Sequence, residues 1–141
     1  MKKYNIEISD DIPEDILNQM DLSYEEYEKR HHLTANYKKF ALLLKDEKSN
    51  VLGILSAYTY LAEIYVDDLW VDDMHRGKGF GKKLLQELES MFKGKGFNNI
   101  NLVTSAFQAP EFYKKCGFEV EFIRVNKTNP QLNKTFFIKY F

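Results

Sequence analysis

The segment from residue 64 to residue 92 constrains the fold most, because it reads as a strand, a glycine-rich turn and a helix in direct succession. Apolar residues predict a strand over residues 64–71. One helical face is then apolar, through Leu84, Leu85, Leu88, Met91 and Phe92. Gly94 and Gly96 follow as the stop signal. This succession indicates a domain in which helices pack on a sheet.

Periodicity elsewhere predicts strands and helices on both sides of this segment. The expected elements are a strand at 3–8, helices within 12–32, a β-hairpin from strands at 40–44 and 51–60, a strand at 100–103, a short helix at 109–115 and strands at 118–125 and 135–140. Pro13 marks the start of the helical region, whose apolar residues recur every three to four positions and should pack by one face. The element order predicts the α/β class, with a mixed sheet flanked by helices.

Length and composition indicate one compact domain without disulfide bonds or a structural metal. The chain has 141 residues, 44% of them hydrophobic, so we expect a single domain over residues 1–141. A single cysteine, Cys116, excludes an internal disulfide framework and any multi-cysteine zinc site, and we expect no metal. The chain shows no apolar stretch of the kind that a signal peptide or membrane span needs. We therefore expect a soluble, cytoplasmic protein.

Charge is divided unevenly along a chain whose formal net charge is -1. Residues 1–73 carry most of the acids and residues 74–141 most of the bases. Two readings are open: a basic surface that meets an anionic ligand and an acidic one that meets a cation, or ordinary solvated faces. A sequence pI of about 6.3 argues against a general nucleic-acid-binding protein.

The turn Arg76-Gly77-Lys78-Gly79-Phe80-Gly81-Lys82 is the strongest binding signal in the chain. Glycines let the backbone turn its N–H groups to one side, and these groups lie where a helix begins, so that the helix dipole adds positive potential. We therefore expect a phosphate or pyrophosphate there. The turn fits neither the dinucleotide fingerprint G-x-G-x-x-G nor the nucleoside triphosphate pattern G-x-x-x-x-G-K-[ST]. The alternative is a tight turn without a ligand.

Two motifs in the expected order resemble the GNAT superfamily of N-acetyltransferases. Its phosphate motif [Q/R]-x-x-G-x-[G/A] is matched by Arg76, Gly79 and Gly81. A second motif, an alanine, an aromatic pair and a Gly-Phe pair, is matched by Ala109, Phe112-Tyr113 and Gly117-Phe118. One departure is Ala106, where many members have Asn, and Gln108 and Ser105 are candidates for that polar contact. The resemblance is good over residues 51–125 and loose before them.

This resemblance implies a GNAT-like acyl-CoA N-acyltransferase fold and acetyl-CoA as co-substrate. The pantetheine arm would pair with Leu69, Trp70 and Val71, and the pyrophosphate would bind the amides from Gly77 to Lys82. The residues themselves add one expectation. Asp67 and Asp68 break the alternation of the strand, which predicts a bulge that exposes backbone for this pairing.

The resemblance also implies a general acid, Tyr113, and less directly a general base. Tyr113 would protonate the departing thiolate, and its alternative role is that of a packed aromatic. Glu63 is the first choice for the base that deprotonates the amine, directly or through water. Asp67 and Asp68 are alternatives, as is a water chain without any of these carboxylates.

The expected function is direct transfer of an acetyl group to a primary amine of a small molecule or peptide. Residues 10–28 contain eight acids and neither Lys nor Arg, which favours a cationic acceptor. The alternative is a non-catalytic acyl-CoA-binding regulatory module. The aromatic C-terminus is compatible with a homodimer.

Overall fold

The computed structural model describes residues 3–141 of the chain. Within them it forms three α-helices and six strands. The helices are α1 (Glu14–Arg30), α2 (Phe80–Phe92) and α3 (Pro110–Lys115), and the strands are β1 (Lys38–Lys45), β2 (Val51–Tyr60), β3 (Glu63–Val71), β4 (Asn99–Ser105), β5 (Glu119–Arg124) and β6 (Lys134–Tyr140). They divide into two compact units, of which the first ends at Ala35 and the second spans Asn36–Phe141.

The second unit contains one mixed six-stranded sheet in the order β1-β2-β3-β4-β6-β5. The predicted hairpin is confirmed, because β1 and β2 pair antiparallel across a turn in which the Asp46 side chain accepts hydrogen bonds from the backbone N–H groups of Lys48 and Asn50. Strand β3 pairs antiparallel with β2 and parallel with β4, and β6 lies between β4 and β5. The predicted class, a mixed sheet flanked by helices, is confirmed.

Helix α2 covers one face of this sheet, as its apolar stripe predicts. Leu84, Leu85 and Leu88 are buried in a core that the sheet completes, chiefly with Leu55, Ala57, Ile64, Ile100, Leu102 and Phe137. Burial of a leucine side chain such as Leu88 contributes about 2 kcal/mol. At the edge of this contact, the Lys139 ammonium lies 2.8 Å from the Glu89 carboxylate and links β6 to α2.

The expected bulge in β3 is also confirmed. Ser56 of β2 pairs with Asp68 and the next residue, Ala57, pairs with Val66, so Asp67 is the extra residue. The Ser56 hydroxyl donates a 2.8 Å hydrogen bond to the Asp68 carboxylate at this point. A bulge of this kind locally disrupts the ladder and turns the strand.

The first unit differs from one prediction and agrees with another. Residues 3–8 form no strand, because no described strand pairs with them and the alternating Ile6 and Ile8 are fully exposed. Alternation favours a strand only where a neighbour supplies hydrogen bonds and a core. Helix α1 follows Pro13, as predicted, and none of its residues is buried. None of the helices formed by residues 3–141 is long and apolar enough to span a membrane.

Candidate active site

The two central strands, β3 and β4, part from each other halfway along the sheet. They pair over three positions only, through Glu63 with Asn99, Ile64 with Ile100 and Tyr65 with Asn101. Beyond this point β3 continues to Val71 along β2, and β4 continues to Ser105 along β6. The facing edges of the two strands therefore leave their remaining backbone groups without a strand partner, which is where an extended ligand can pair.

The glycine turn stands at the open end of this gap. Gly77 and Gly79 have φ angles of +78° and +79°, in the left-handed region that favours glycine, and α2 begins at Phe80. Within residues 3–141, no acceptor binds the backbone N–H groups of residues 77–82. A β carbon at either glycine would have open space around it. Free donors, open space and the positive end of α2 together fit an anionic group such as a pyrophosphate.

Side chains around the turn divide into two sets. Lys78 and Lys82 form no ion pair with any residue that the structure describes, so both charges are available to an anion. Arg76 is engaged within the protein, because its Nε donates to the Val71 carbonyl at 3.0 Å and its guanidinium lies 2.9 Å from the Asp73 carboxylate. Its position therefore indicates that it closes the turn from β3 into α2.

The segment predicted to pair with a pantetheine arm has one free edge. Leu69, Trp70 and Val71 pair with Leu55, Ile54 and Gly53 of β2, and no described strand lies on their other side. Two features here suit an elongated, phosphorylated thioester. One is the free edge of β3, and the other is the group of free amides that follows the end of this strand. The residues present fit acetyl-CoA on these grounds.

Tyr113 lies in α3, close to the start of α2. A β carbon on Gly81 would come within 3.1 Å of Cζ of Phe112, so α3 packs directly against the first turn of α2. The Tyr113 ring contacts Phe137 and Phe118, with centroids 5.7 and 6.1 Å away. Burial raises the pKa of the Tyr113 phenol, and the nearby Cys116 adds to this effect. The phenol is therefore held in its protonated form, as a proton donor must be.

Glu63 lies at the opposite, closed end of the gap. It opens β3, so that roughly 20 Å of strand separates it from Leu69. Both of its carboxylate oxygens accept hydrogen bonds, one from the Tyr65 hydroxyl and one from Nδ2 of Asn99 at 3.1 Å. The structure thus packs α3, which carries Tyr113, against the first turn of α2, and it places Glu63 where β3 and β4 still pair.

Sequence reasoning missed the partners of Glu63. Asn99 is buried, with 1% of its surface exposed, and its Oδ1 accepts a 2.8 Å hydrogen bond from Nδ2 of Asn101. The sequence signal was two asparagines that alternate with the apolar Ile100 and Leu102 in this strand. Gln108, one proposed substitute for the missing Asn, turns back to β4, where its Oε1 accepts a 2.9 Å hydrogen bond from the Ser105 N–H. Among residues 3–141, no three His, Cys, Asp or Glu side chains gather as a metal site.

Comparison with known proteins agrees with this geometry. Residues 6–118 match the family described as "Acetyltransferase (GNAT) family". The crystal structure of an acetyltransferase from Bacillus cereus ATCC 14579 superimposes with a TM-score of 0.81 at 29% identity, over 100% of both chains. A spermidine/spermine N-acetyltransferase from Vibrio cholerae, solved in mutant form, has a TM-score of 0.60 at 21% identity, over 85% of this chain and 75% of that one, and shares the fold.

One curated relative is similar in sequence over part of its length. The blasticidin-S acetyltransferase of Streptomyces morookaense is 32% identical over 75 residues. The match covers 52% of this chain and 55% of that protein, so this chain matches about half the length of that relative.

Proposed function

Since the chain belongs to the GNAT acetyltransferase family, we propose that it is an N-acetyltransferase that moves the acetyl group of acetyl-CoA directly to a primary amine of a small molecule or peptide. The observation that carries this proposal is the gap between β3 and β4 that ends at the free amides of residues 77–82. We also propose that residues 1–141 act as one N-acetyltransferase domain. The family match supports this, because it extends across both compact units.

In this proposal the coenzyme binds along the free edge of β3 and supplies an acetyl thioester. Leu69, Trp70 and Val71 offer backbone groups to the pantetheine arm. The N–H groups of Gly77, Lys78, Gly79, Phe80, Gly81 and Lys82 bind the pyrophosphate. Lys78 and Lys82 add charge without a competing carboxylate in the described chain. Arg76 contributes by fixing the turn rather than by contacting phosphate, since its guanidinium is bonded to Val71 and Asp73.

Three proton transfers accompany the reaction. An amine acceptor is an ammonium ion near neutral pH and loses one proton before its nitrogen attacks, and Glu63 accepts this proton and passes it to solvent. As the C–N bond forms and the C–S bond breaks, Tyr113 gives its phenol proton to the sulfur. The nitrogen loses its second proton as the amide forms, and this proton restores the phenol through water. Tyr113 can act as the donor because a tyrosine phenol is protonated at neutral pH, and burial, which raises the pKa of Tyr113, keeps it so.

The acceptor is proposed to be a cationic amine. A curated relative acetylates blasticidin S, and a protein of the same fold acetylates spermidine and spermine, as their names state. Glu63, Asp67 and Asp68 bring three carboxylates to β3, and none forms an ion pair with another residue of the described range 3–141. Their uncompensated charge supports attraction of a cation.

The test is a calorimetric titration of acetyl-CoA followed by an acceptor screen. Binding by the wild-type chain, weakened in Lys82→Glu, supports the phosphate site; absence of binding by the folded wild type overturns the proposal. The screen uses spermidine, blasticidin S and a lysine-containing peptide, with release of free coenzyme A thiol as the readout. Acetyl-CoA binding without turnover of any acceptor would favour the non-catalytic module instead.

A further inference from the structure

Four polar side chains form a continuous chain where β3 and β4 pair. Glu63 and Tyr65 come from β3, and Asn99 and Asn101 come from β4 at the positions directly beside them. The Tyr65 hydroxyl donates to Oε2 of Glu63, Nδ2 of Asn99 donates to Oε1 at 3.1 Å, and Nδ2 of Asn101 donates to Oδ1 of Asn99 at 2.8 Å. Residues that alternate along paired strands share one face of the sheet, so the cluster lies on a single face.

The burial of Asn99 is the feature that a purely structural strand does not require. Only 1% of its surface is exposed, and such positions in strands are ordinarily apolar. A buried amide persists where its donor and acceptor are both bonded. Nδ2 of Asn99 donates a hydrogen bond to the Glu63 carboxylate, and Oδ1 of Asn99 accepts one from Asn101. The amide is thereby fixed in one orientation, with its NH₂ group toward the carboxylate.

Tyr65 holds the second oxygen of the same carboxylate. The hydrogen bond to Glu63 is the main cause that raises the pKa of Tyr65 to about 12, so the phenol stays a donor at any pH at which the protein would work. Its ring is stacked on that of Tyr58, with centroids 4.9 Å apart and planes 14° apart. Glu63 therefore has its two oxygens bound by donors that are themselves held in place.

We propose that Asn99 and Tyr65 are positioning residues that hold the Glu63 carboxylate beside the point where β3 and β4 part, so that it accepts the proton from the acceptor amine. The inference rests on the proposed function and deepens it. Asn101 acts one step further away, by orienting Asn99. The proton balance is that of an ordinary acid–base step: the ammonium N–H bond breaks, an O–H bond forms on Glu63, and the proton then passes to water.

A double-mutant cycle tests this role against a merely structural one. With acetyl-CoA and the acceptor panel above, Glu63→Gln should lower kcat/KM about a hundredfold. Tyr65→Phe should lower kcat about tenfold, because a base out of place loses rate even where binding is intact. The double variant should be no slower than Glu63→Gln alone, since Tyr65 acts through Glu63. Tyr37→Phe is the matched control, because Tyr37 contacts Tyr58 and not Glu63.

Asn99→Leu repeats the test on the other oxygen, and Tyr65→Phe carries it alone if the leucine variant fails to fold. Additive losses in the cycle, or a change in KM or in the Kd of acetyl-CoA instead of kcat, would overturn the positioning role while leaving the proposed function standing. A wild-type chain that acetylates no amine in the panel would overturn both.

A readout without turnover accompanies the kinetics. In the wild-type protein one Asn99 side-chain amide proton is bonded to Glu63, and its NMR resonance should move on Glu63→Gln and stay in place in Tyr37→Phe. If the chemical shift of the Asn99 side-chain amide proton is unchanged in Glu63→Gln, the inference is overturned, whatever the activity of the variants.

Discussion

Replacement of Gly79 by alanine separates the binding role of the glycine turn from its role in folding. Gly79 has a φ angle of +79° and immediately precedes α2. An alanine there meets no atom of the protein within 4 Å, so its cost comes from the backbone alone. The left-handed conformation costs an L-residue about 1–2 kcal/mol, and the smaller entropy of the unfolded chain returns about 0.5 kcal/mol. We expect a net loss near 1 kcal/mol, which is about 4 °C in Tm.

The same substitution should cost more in coenzyme affinity than in stability. Gly79 lies among the residues whose amides are proposed to bind the pyrophosphate, and the loss of one hydrogen bond to a charged group costs about 1.5–3 kcal/mol. The Kd for acetyl-CoA should therefore rise roughly 10- to 100-fold in calorimetric titration.

Gly94 offers a matched control. Its φ angle is +75°, a β carbon there also meets nothing within 4 Å, and it lies just past the other end of α2, about 20 Å away. Gly94→Ala should lower Tm as much as Gly79→Ala does and leave the Kd unchanged. Equal losses of affinity in both variants would mean that general destabilisation causes the effect. Unchanged affinity in Gly79→Ala would refute the assignment of the anion to this turn.

Three further predictions concern other parts of the structure. Tyr113→Phe keeps the ring that packs on Phe137 and removes the proton donor, so steady-state kinetics should show kcat at least roughly tenfold lower with the Kd of acetyl-CoA unchanged; an unchanged kcat would assign Tyr113 to packing alone. Leu88→Ala, at a fully buried contact of α2, should lower the free energy of unfolding by about 3 kcal/mol in urea, and a loss below about 1 kcal/mol would contradict that packing. Because the pKa of Tyr65 is raised to about 12, its stabilising effect is complete below the unfolded pKa near 10 and is lost as pH rises toward 12. The stability difference between wild type and Tyr65→Phe should therefore shrink over that range in urea titrations, and a constant difference would argue against the bond to Glu63.

Local pattern was sufficient for the parts of the fold whose neighbours are close in sequence. The hairpin of β1 and β2 and the amphipathic helix α2 have their apolar periodicity and turn residues within a few positions of each other. The bulge at Asp67 was predictable as well, because two adjacent acids interrupt an alternating strand. Alternation of apolar and polar residues does not predict a strand where no neighbouring strand pairs with the segment. Residues 3–8 alternate in this way and form no strand.

Within the candidate site, only the glycine turn was predictable from the sequence as a unit. The turn is one continuous segment, so its residue types and spacing indicate an anion site, and its assignment to the coenzyme is a proposal. The hydrogen bond from Asn99 to Glu63 joins residues 36 positions apart in sequence, and depends on the parallel pairing of β3 with β4. The contacts of Arg76 with Val71 and Asp73 likewise depend on the path of the turn, which its residue types do not specify.

Amide NMR of the ¹⁵N-labelled wild-type chain during titration with acetyl-CoA tests the central claim most directly. The account predicts that the largest shifts fall on the N–H groups of residues 77–82, which have no acceptor within the described residues 3–141, and on the free edge of β3 from Leu69 to Val71. Desulfo-coenzyme A should reproduce the shifts at the turn, because it retains the pyrophosphate. Saturable binding whose shifts lie elsewhere, or no binding at all, would contradict the account.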